Sequence, residues 1–142
     1  MTFQEVKGSL FDAPDGVYLA HCVSSDYALG RGIAKEFERR FLLKDRLKQR
    51  YPSYNGSSVG QCLLVDHVLN LVTKRDYWGK PTYNTLRAAL ISMRSVCEKS
   101  GIQQIAMPRI GCGLDRLNWE DVKNVIQDVF RDTEVDITVY NL

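Results

Sequence analysis

The chain has 142 residues, 44% of them hydrophobic and 25% charged, and a formal net charge of +2 at pH 7. This length suits a single domain over residues 1–142 with one hydrophobic core, and the composition is typical of a globular protein. The small net charge gives no electrostatic reason to expect strong duplex or membrane binding, and the apolar runs are too short to cross a bilayer.

The four cysteines are scattered along the chain and form no C-x-x-C pair. The sequence also shows no charged segment followed by an apolar signal region at its start. We therefore expect reduced thiols in an intracellular protein, located in the nucleus, the cytoplasm or both. His21 and Cys22 are adjacent, which is not the spacing of zinc ligands, so no metal and no other cofactor are expected. A monomer is the expected state.

The first half of the chain predicts two strands and a helix. "FQEV" near the start alternates apolar and polar residues, and residues 17–23 form a mostly apolar run, so both are typical of strands. Residues 24–32 combine serine, aspartate and glycine, which indicates a loop. In the following segment, Ile33, Phe37 and Phe41 are spaced to share one helical face, which predicts a helix over residues 33–41.

The second half predicts four more strand segments and two longer helices. Residues 51–58 have turn chemistry, and residues 59–66 and 68–73 are predicted to form a hairpin around Asp66 and His67. A helix over residues 83–101 ends at Gly101, and a helix over 118–130 begins at the capping residue Asn118. Strands are predicted at 103–108 and 136–142. Strands that alternate with helices predict a layered α/β domain with a mostly parallel or mixed sheet.

Two glycine-bearing loops follow predicted strands. Residues 24–32 carry Gly30 and Gly32 directly before a helix, and residues 110–114 carry Gly111 and Gly113. Ligands of α/β folds bind at such strand ends, where glycine allows backbone N–H groups to approach an anion. Two facing loops of this kind could hold a diphosphate. The alternative that these glycines only form turns stays open, because "GRGIAK" lacks the third glycine of the G-x-G-x-x-G motif.

Three side chains near these loops are candidates for chemistry. Lys74 ends a predicted strand, and Asp115 directly follows the second glycine loop. A lysine at a strand end is commonly exposed to solvent without a catalytic role, and Asp115 could be only a turn-forming residue. Cys112 lies within the loop, but no histidine is near it in sequence to act as its base. His21, on an apolar strand, is more typical of a core residue.

The most specific motifs lie at the predicted strand ends, and they are "LAHCVSSD", "GRGIAKEF", "LVTKRDYWGKPTYNTL", "MPRIGCGLDRLNWE" and "ITVYNL". With these motifs the chain resembles the macrodomains, which bind ADP-ribose, from "FQEVKGSLF" to its end. Within that family it is similar to the terminal ADP-ribose protein glycohydrolases, also called O-acetyl-ADP-ribose deacetylases.

The resemblance implies an α/β fold, a three-layer α/β/α macrodomain with a mixed central sheet. It implies that ADP-ribose lies across the strand ends, that Lys74 is a nucleophile and that Asp115 is its acid/base partner. The glycine loops and the resemblance together predict these ligand-contacting residues: Leu10, Ser24, Gly30, Gly32, Ile33, Arg109, Ile110, Gly111, Cys112, Gly113, Leu114 and Leu142. Ser9 departs from the family, which usually has an aspartate there to accept from the adenine amine.

The implied activity is removal of mono-ADP-ribose from glutamate and aspartate side chains of proteins, and deacylation of O-acetyl-ADP-ribose. A neutral lysine amine can attack C1 of the sugar and form a Schiff base, and an aspartate can then activate water. An ionised Asp115 would, however, hold Lys74 in its charged form. Two alternatives stay open: an ADP-ribose-binding reader without turnover, and a phosphatase of ADP-ribose 1″-phosphate. ADP-ribosylated nucleic acid also stays open as a substrate.

Overall fold

The computed structural model describes residues 1–52 and 56–142. Its strands are β1 (Thr2–Lys7), β2 (Tyr18–Ser24), β3 (Cys62–Val65), β4 (Val68–Lys74), β5 (Gln104–Met107) and β6 (Asp136–Asn141). Its helices are α1 (Gly32–Phe41), α2 (Leu43–Arg50), α3 (Tyr83–Ser100) and α4 (Trp119–Phe130), with a short 3-10 helix at Leu10–Asp12. In these described ranges, no helix is both long enough and apolar enough to cross a membrane.

The strands form one sheet in the order β1-β6-β5-β2-β4-β3. Each neighbouring pair from β1 to β4 runs parallel, and β3 pairs antiparallel with β4. The sheet is therefore mixed, as predicted. Because the five parallel strands end at one edge, the segments that follow β2, β4 and β5 are brought together there.

Helices cover both faces of the sheet, and the side chains of β2 contact them alternately on one face and the other. Leu19 and Val23 pack into one core with Phe37 of α1, whereas Ala20 packs into a second core with Leu86 of α3. Successive side chains of a strand point to opposite faces, so an apolar strand can serve both cores at once. The three-layer α/β/α fold is confirmed.

His21 belongs to the core on the α1 side. Its ring is fully buried, stacks on Phe37 with 3.8 Å between ring centroids, and places Nε2 at 2.6 Å from Asn70 Oδ1. Burial lowers the pKa of His21 to about 4, although the bond to Asn70 opposes this shift. The imidazole is therefore neutral at pH 7 and has a packing role, in agreement with the sequence prediction.

Both longer predicted helices are confirmed, together with the features that end them. Asn118 accepts a hydrogen bond from the Asp121 backbone N–H and caps α4, and Gly101 ends α3 with φ +67°. At the start of α3, Thr82 and Thr85 exchange hydrogen bonds in a capping box. A left-handed glycine after the last turn satisfies the final helical carbonyls.

Two sequence predictions need correction, and one helix was missed. The strand predicted over residues 59–66 begins only at Cys62, because Val59 and Gly60 lie in a turn in which Gly60 has φ +88°. Ser24 ends β2 and Gly32 begins α1, so the predicted loop over 24–32 is shorter at both ends. The helix α2 was not predicted at all. The predicted turn over 51–58 falls partly on residues 53–55, which lie outside the described residues.

Candidate active site

Lys74 and Asp115, which are far apart in sequence, form an ion pair at the carboxyl edge of the sheet. Lys74 Nζ lies 2.8 Å from Asp115 Oδ1, and the two side chains are only 17% and 16% exposed. Most water is therefore excluded from the pair, which strengthens the electrostatic attraction between the two side chains. Their hydrogen bond also offers a direct path for a proton between Nζ and Oδ1. The structure thus brings together the two residues that the sequence singled out.

Lys74 is held by the strand order. β4 lies beside β2, and their register shifts between Val23 and Ser24, so that Ser24 pairs with Lys74. The Ser25 backbone N–H donates to Lys74 O at 2.9 Å, and Ser25 Oγ donates to Arg75 O at 2.7 Å. These bonds fix the backbone on both sides of Lys74 against the loop that follows β2.

Asp115 is held by a compact series of turns after β5. Cys112 N–H donates to Arg109 O at 3.2 Å, and Leu117 N–H donates to Gly111 O at 2.8 Å. Gly111 has φ +72°, and a Cβ at this position would lie 2.9 Å from Leu117 Cδ1. The left-handed backbone favours glycine, and a Cβ here would also displace the Leu117 side chain, so Gly111 sets the path of the chain that leads to Asp115.

The two glycine loops lie against each other. A Cβ placed on Gly32 would lie 3.5 Å from Leu114 Cδ1, and Gly32 has φ +57°. Within residues 1–52 and 56–142, the backbone N–H groups of Gly113 and Leu114 have no acceptor, and no side chain caps α1. The start of α1 and the loop that carries Leu114 are therefore neighbours, and free loop N–H groups next to a helix N-terminus suit a phosphorylated ligand.

Asp26 connects the surrounding loops and was not identified from the sequence. Its Oδ1 accepts from Ser24 Oγ and from the Ala28 backbone N–H, and its Oδ2 accepts from the Tyr77 backbone N–H at 3.0 Å. One carboxylate thus joins the loop after β2 to the segment after β4. Its place in the loop predicted over residues 24–32, at a strand end, was the available sequence signal.

Two thiols lie near the ion pair, and both are protonated at neutral pH. Burial raises the pKa of Cys112 to about 11, although nearby Arg109 opposes the shift. Burial and the Asp115 carboxylate raise the pKa of Cys22 to about 12. Because the thiolate is the reactive form, neither cysteine has the properties of an activated nucleophile.

The other predicted ligand-contacting residues lie around this edge in different environments. Leu10 and Ile110 are buried in the two cores, so only their backbone groups are available to a ligand. The Arg109 guanidinium lies over the Trp119 ring and 3.7 Å from Glu5, which directs it toward α4. The side chains of Ile33 and Leu142 are exposed, and Gly30 and Gly113 lie in exposed backbone.

Ser9, at the position where related proteins usually have aspartate, caps the short 3-10 helix. Its Oγ accepts from the Phe11 backbone N–H at 3.2 Å. One lone pair of the hydroxyl is thus already used within the chain. In the part of the chain that the structure describes, no cluster of three or more histidine, cysteine or acidic side chains could hold a metal ion.

A three-layer α/β/α domain with a mixed six-stranded sheet and glycine loops at the strand ends is the architecture of the macrodomain class. A family model described as "Macro domain" matches residues 20–126. The chain belongs to the macro domain family.

Three relatives place the chain within this family. It is 42% identical to a Homo sapiens protein named ADP-ribose glycohydrolase OARD1, over 96% of this chain and 90% of that protein. It is 27% identical to a Mycobacterium tuberculosis DNA ADP-ribosyl glycohydrolase, over 94% of this chain and 40% of the relative. Its fold is similar to a solved macrodomain of Mycobacterium tuberculosis DarG, with a TM-score of 0.85, 25% identity, and coverage of 99% of this chain and 98% of that chain.

Proposed function

We propose that this protein is a hydrolase of ADP-ribose linkages that removes mono-ADP-ribose from glutamate and aspartate side chains of proteins and deacylates O-acetyl-ADP-ribose. The observation that carries the proposal is the direct contact of Lys74 and Asp115, 2.8 Å apart, beside the facing glycine loops. The similarity to proteins named ADP-ribose glycohydrolase supports the same activity.

The first chemical step is nucleophilic attack by Lys74. Asp115 takes a proton from the Lys74 ammonium through their hydrogen bond, which leaves a neutral amine. The amine nitrogen bonds to C1″ of the distal ribose as the bond from C1″ to the acyl oxygen breaks. Asp115 returns its proton to the departing carboxylate. The ribose ring then opens as the bond from C1″ to the ring oxygen breaks, one proton moves from the Lys74 nitrogen to that oxygen, and a protonated Schiff base remains on Lys74.

The second step releases ADP-ribose. Asp115, ionised again, takes a proton from water as the water oxygen bonds to the imine carbon. Asp115 returns that proton to the carbinolamine nitrogen, the bond from carbon to nitrogen breaks, and the hydroxyl proton passes to the departing amine as the carbonyl forms. ADP-ribose and the original ion pair are restored, so Asp115 acts first as base and then as acid in each of the two steps.

In the proposed mechanism, substrate binding promotes the proton transfer that leaves Lys74 neutral. In the free protein the pair retains some exposure to water, which stabilises both charges. A ligand across the strand ends displaces that water and penalises the charged pair more than the neutral one. Proton transfer from Lys74 to Asp115 is thus favoured when substrate is present.

Two other functions make different use of this site. A reader that only binds ADP-ribose needs the glycine loops but not the Lys74–Asp115 pair, so the buried contact favours the hydrolase. Relatives from Lodderomyces elongisporus and Aspergillus fumigatus are named ADP-ribose 1″-phosphate phosphatase, at 26% and 29% identity. The 1″-phosphate also leaves from C1″, so the substrate that is consumed, rather than the position of the amine, separates the phosphatase from the hydrolase.

One assay separates the three functions. The protein is incubated with a glutamate-linked ADP-ribosyl peptide, O-acetyl-ADP-ribose and ADP-ribose 1″-phosphate, and the products are quantified by chromatography. The hydrolase consumes the first two. Consumption of the phosphate ester alone would identify a phosphatase, and binding of ADP-ribose without consumption of any substrate would identify a reader.

Replacing Cys112 with alanine should leave most of the hydrolase activity intact. The loop offers its backbone N–H groups, and burial keeps the thiol protonated, so the sulfur has no chemical part in the reaction. The measurement is kcat/KM on the glutamate-linked peptide, which we expect to change by less than about fivefold. A folded Cys112→Ala protein without activity would instead identify the cysteine as a nucleophile.

We also propose that the protein acts inside the cell, in the nucleus, the cytoplasm or both. All four cysteines are free thiols, and two of them, Cys62 and Cys97, are buried in the fold. Thiols of this kind persist in a reducing compartment, which supports the proposed location.

A further inference from the structure

Two residues between β2 and the glycines of the first loop have strained backbones. Tyr27 has φ +54° and Leu29 has φ +43°, positive values that residues other than glycine rarely adopt. Both side chains are buried in the core on the α1 side. A backbone of this kind persists only where surrounding contacts hold it, and it is found most often at functional sites.

Asp26 supplies contacts that hold this part of the loop. Its Oδ1 accepts from the Ala28 backbone N–H at 3.1 Å, across the strained Tyr27, and from the Ser24 hydroxyl. The Tyr27 N–H donates to Ser24 O at 3.0 Å and closes the same turn. Asp26 is half-buried, and a carboxylate forms stronger hydrogen bonds than a neutral acceptor. These bonds therefore fix the path of the chain from β2 toward the glycines of the loop.

The other carboxylate oxygen of Asp26 holds the segment that follows Lys74. Its Oδ2 accepts from the Tyr77 backbone N–H at 3.0 Å. Beside it, Ser25 N–H donates to Lys74 O at 2.9 Å and Ser25 Oγ donates to Arg75 O at 2.7 Å. The pairing of β2 with β4 is thus extended beyond the ends of both strands. The first glycine loop and the backbone around Lys74 are consequently one connected unit.

Resting on the proposed hydrolase function, we propose that Asp26 is a positioning residue that aligns Lys74 with a ligand held by the first glycine loop. One oxygen keeps the loop in shape, and the other ties the Lys74 segment to that loop. The carboxylate itself takes no part in bond making or proton transfer. A reacting group displaced by about 1 Å can lose about 100-fold in rate, so this link bears on kcat.

Asp26→Asn separates the roles of the two oxygens. Asparagine can keep its Oδ1 on Ser24 and Ala28 and form the same turn, whereas its Nδ2 would face the Tyr77 N–H as a second donor. We expect kcat for the glutamate-linked peptide to fall about 10- to 100-fold, while the Kd for ADP-ribose changes by only a few-fold. Asp26→Ala removes the bonds of both oxygens, so it should lower kcat and also weaken ADP-ribose binding.

Asp76→Asn is the matched control for this substitution. Asp76 is half-buried in the segment that contains Tyr77, and among the described residues its carboxylate forms no hydrogen bond or ion pair. This variant should keep the kcat of the wild type. Ser25→Ala removes the neighbouring bond to Arg75 O and should lower kcat without changing the Kd for ADP-ribose.

The link itself is measured without catalysis, by NMR hydrogen exchange at the Tyr77 amide. Loss of its acceptor should make exchange at least about fivefold faster in Asp26→Asn, with no change in Asp76→Asn. The pH profile of kcat should keep its shape in Asp26→Asn, because a positioning residue transfers no proton. Circular dichroism and Tm confirm that each variant is folded.

Wild-type kcat or unchanged Tyr77 exchange in a folded Asp26→Asn protein would overturn the positioning role. Equal losses of kcat and ADP-ribose affinity would also overturn it, because Asp26 would then only shape the ligand loop. A changed pH profile would identify Asp26 as a proton-transfer group instead. A wild type inactive on both acyl-linked substrates would overturn the proposed function, and the Tyr77 exchange distinguishes that failure because it does not depend on catalysis.

Discussion

Replacing Lys74 with alanine should abolish hydrolysis of the glutamate-linked substrate while ADP-ribose binding is largely retained. The amine nitrogen is the proposed attacking atom, whereas the loop N–H groups and the start of α1 are unchanged by the substitution. We expect kcat to fall by at least about 10³-fold and the Kd for ADP-ribose to change by only a few-fold. Single-turnover release of ADP-ribose and calorimetric titration measure the two quantities.

Lys74→Arg separates nucleophilic from electrostatic roles. Arginine keeps a cation near Asp115 but stays protonated and cannot attack C1″, so this variant should be as inactive as Lys74→Ala. Lys99→Ala, at the exposed end of α3, is the matched control and should keep full activity. Lys74→Ala leaves Asp115 without its partner, and Lys74→Arg places a longer side chain beside it, so circular dichroism and Tm must first show that both variants are folded. Wild-type turnover by a folded Lys74→Ala protein would exclude the lysine mechanism.

The Schiff base gives an independent test on the wild-type protein. Reduction with cyanoborohydride in the presence of ADP-ribose converts the imine to a stable secondary amine. Peptide mass spectrometry should locate the adduct on Lys74, with no adduct at this position in Lys74→Arg. An adduct spread over exposed lysines would indicate non-specific glycation.

The sequence predicted most of the sheet because its strands have strong local signals. Residues 17–23 and 68–73 are nearly all apolar, as expected for strands covered on both faces. Asn118 and Gly101 mark helix ends through short-range hydrogen bonding, which sequence alone can indicate. The position of Lys74 at a strand end followed from the same pattern.

The helix α2 escaped prediction for a physical reason. Of its eight residues, Leu43 and Leu47 are buried, and the rest are mainly charged or polar. Leu42, between α1 and α2, has φ +51°, a left-handed conformation that leucine rarely adopts. Tertiary packing holds this break, and the sequence has no glycine there to indicate it.

The candidate site depended on long-range contacts that no local pattern contains. The Lys74–Asp115 pair joins residues 41 positions apart, and only the resemblance to macrodomains suggested their cooperation. Asp26 joins its own loop to Tyr77, 51 positions away. Such pairings follow from the order β5-β2-β4 in the sheet, which brings separate strand ends together.

Replacing Asp115 with asparagine should reduce kcat by about 10²- to 10⁴-fold, the range expected when a general acid/base is lost. Asparagine has nearly the shape of aspartate and can accept a hydrogen bond from Lys74, so the turn after Gly111 should be preserved. It cannot take the proton from the ammonium or from water, so both proposed steps are slowed. Release of ADP-ribose from the glutamate-linked peptide is the measurement, with folding checked by circular dichroism.

The pH profile distinguishes a proton-transfer role of Asp115 from a structural one. In Asp115→Asn, alkaline solvent must remove the lysine proton, so activity should rise steadily with pH, whereas the wild type gains little because its carboxylate performs the transfer. Asp132→Asn, at an exposed position after α4, is the matched control and should retain the wild-type profile. If Asp115 only transfers protons, it does not contribute to ADP-ribose binding. The Kd for ADP-ribose of the wild type, Asp115→Asn and Asp132→Asn should then agree within a few-fold.

A folded Asp115→Asn protein with normal turnover at pH 7 would exclude Asp115 as the acid/base. Equal loss at every pH, accompanied by weaker ADP-ribose binding, would instead show that the carboxylate only shapes the loop.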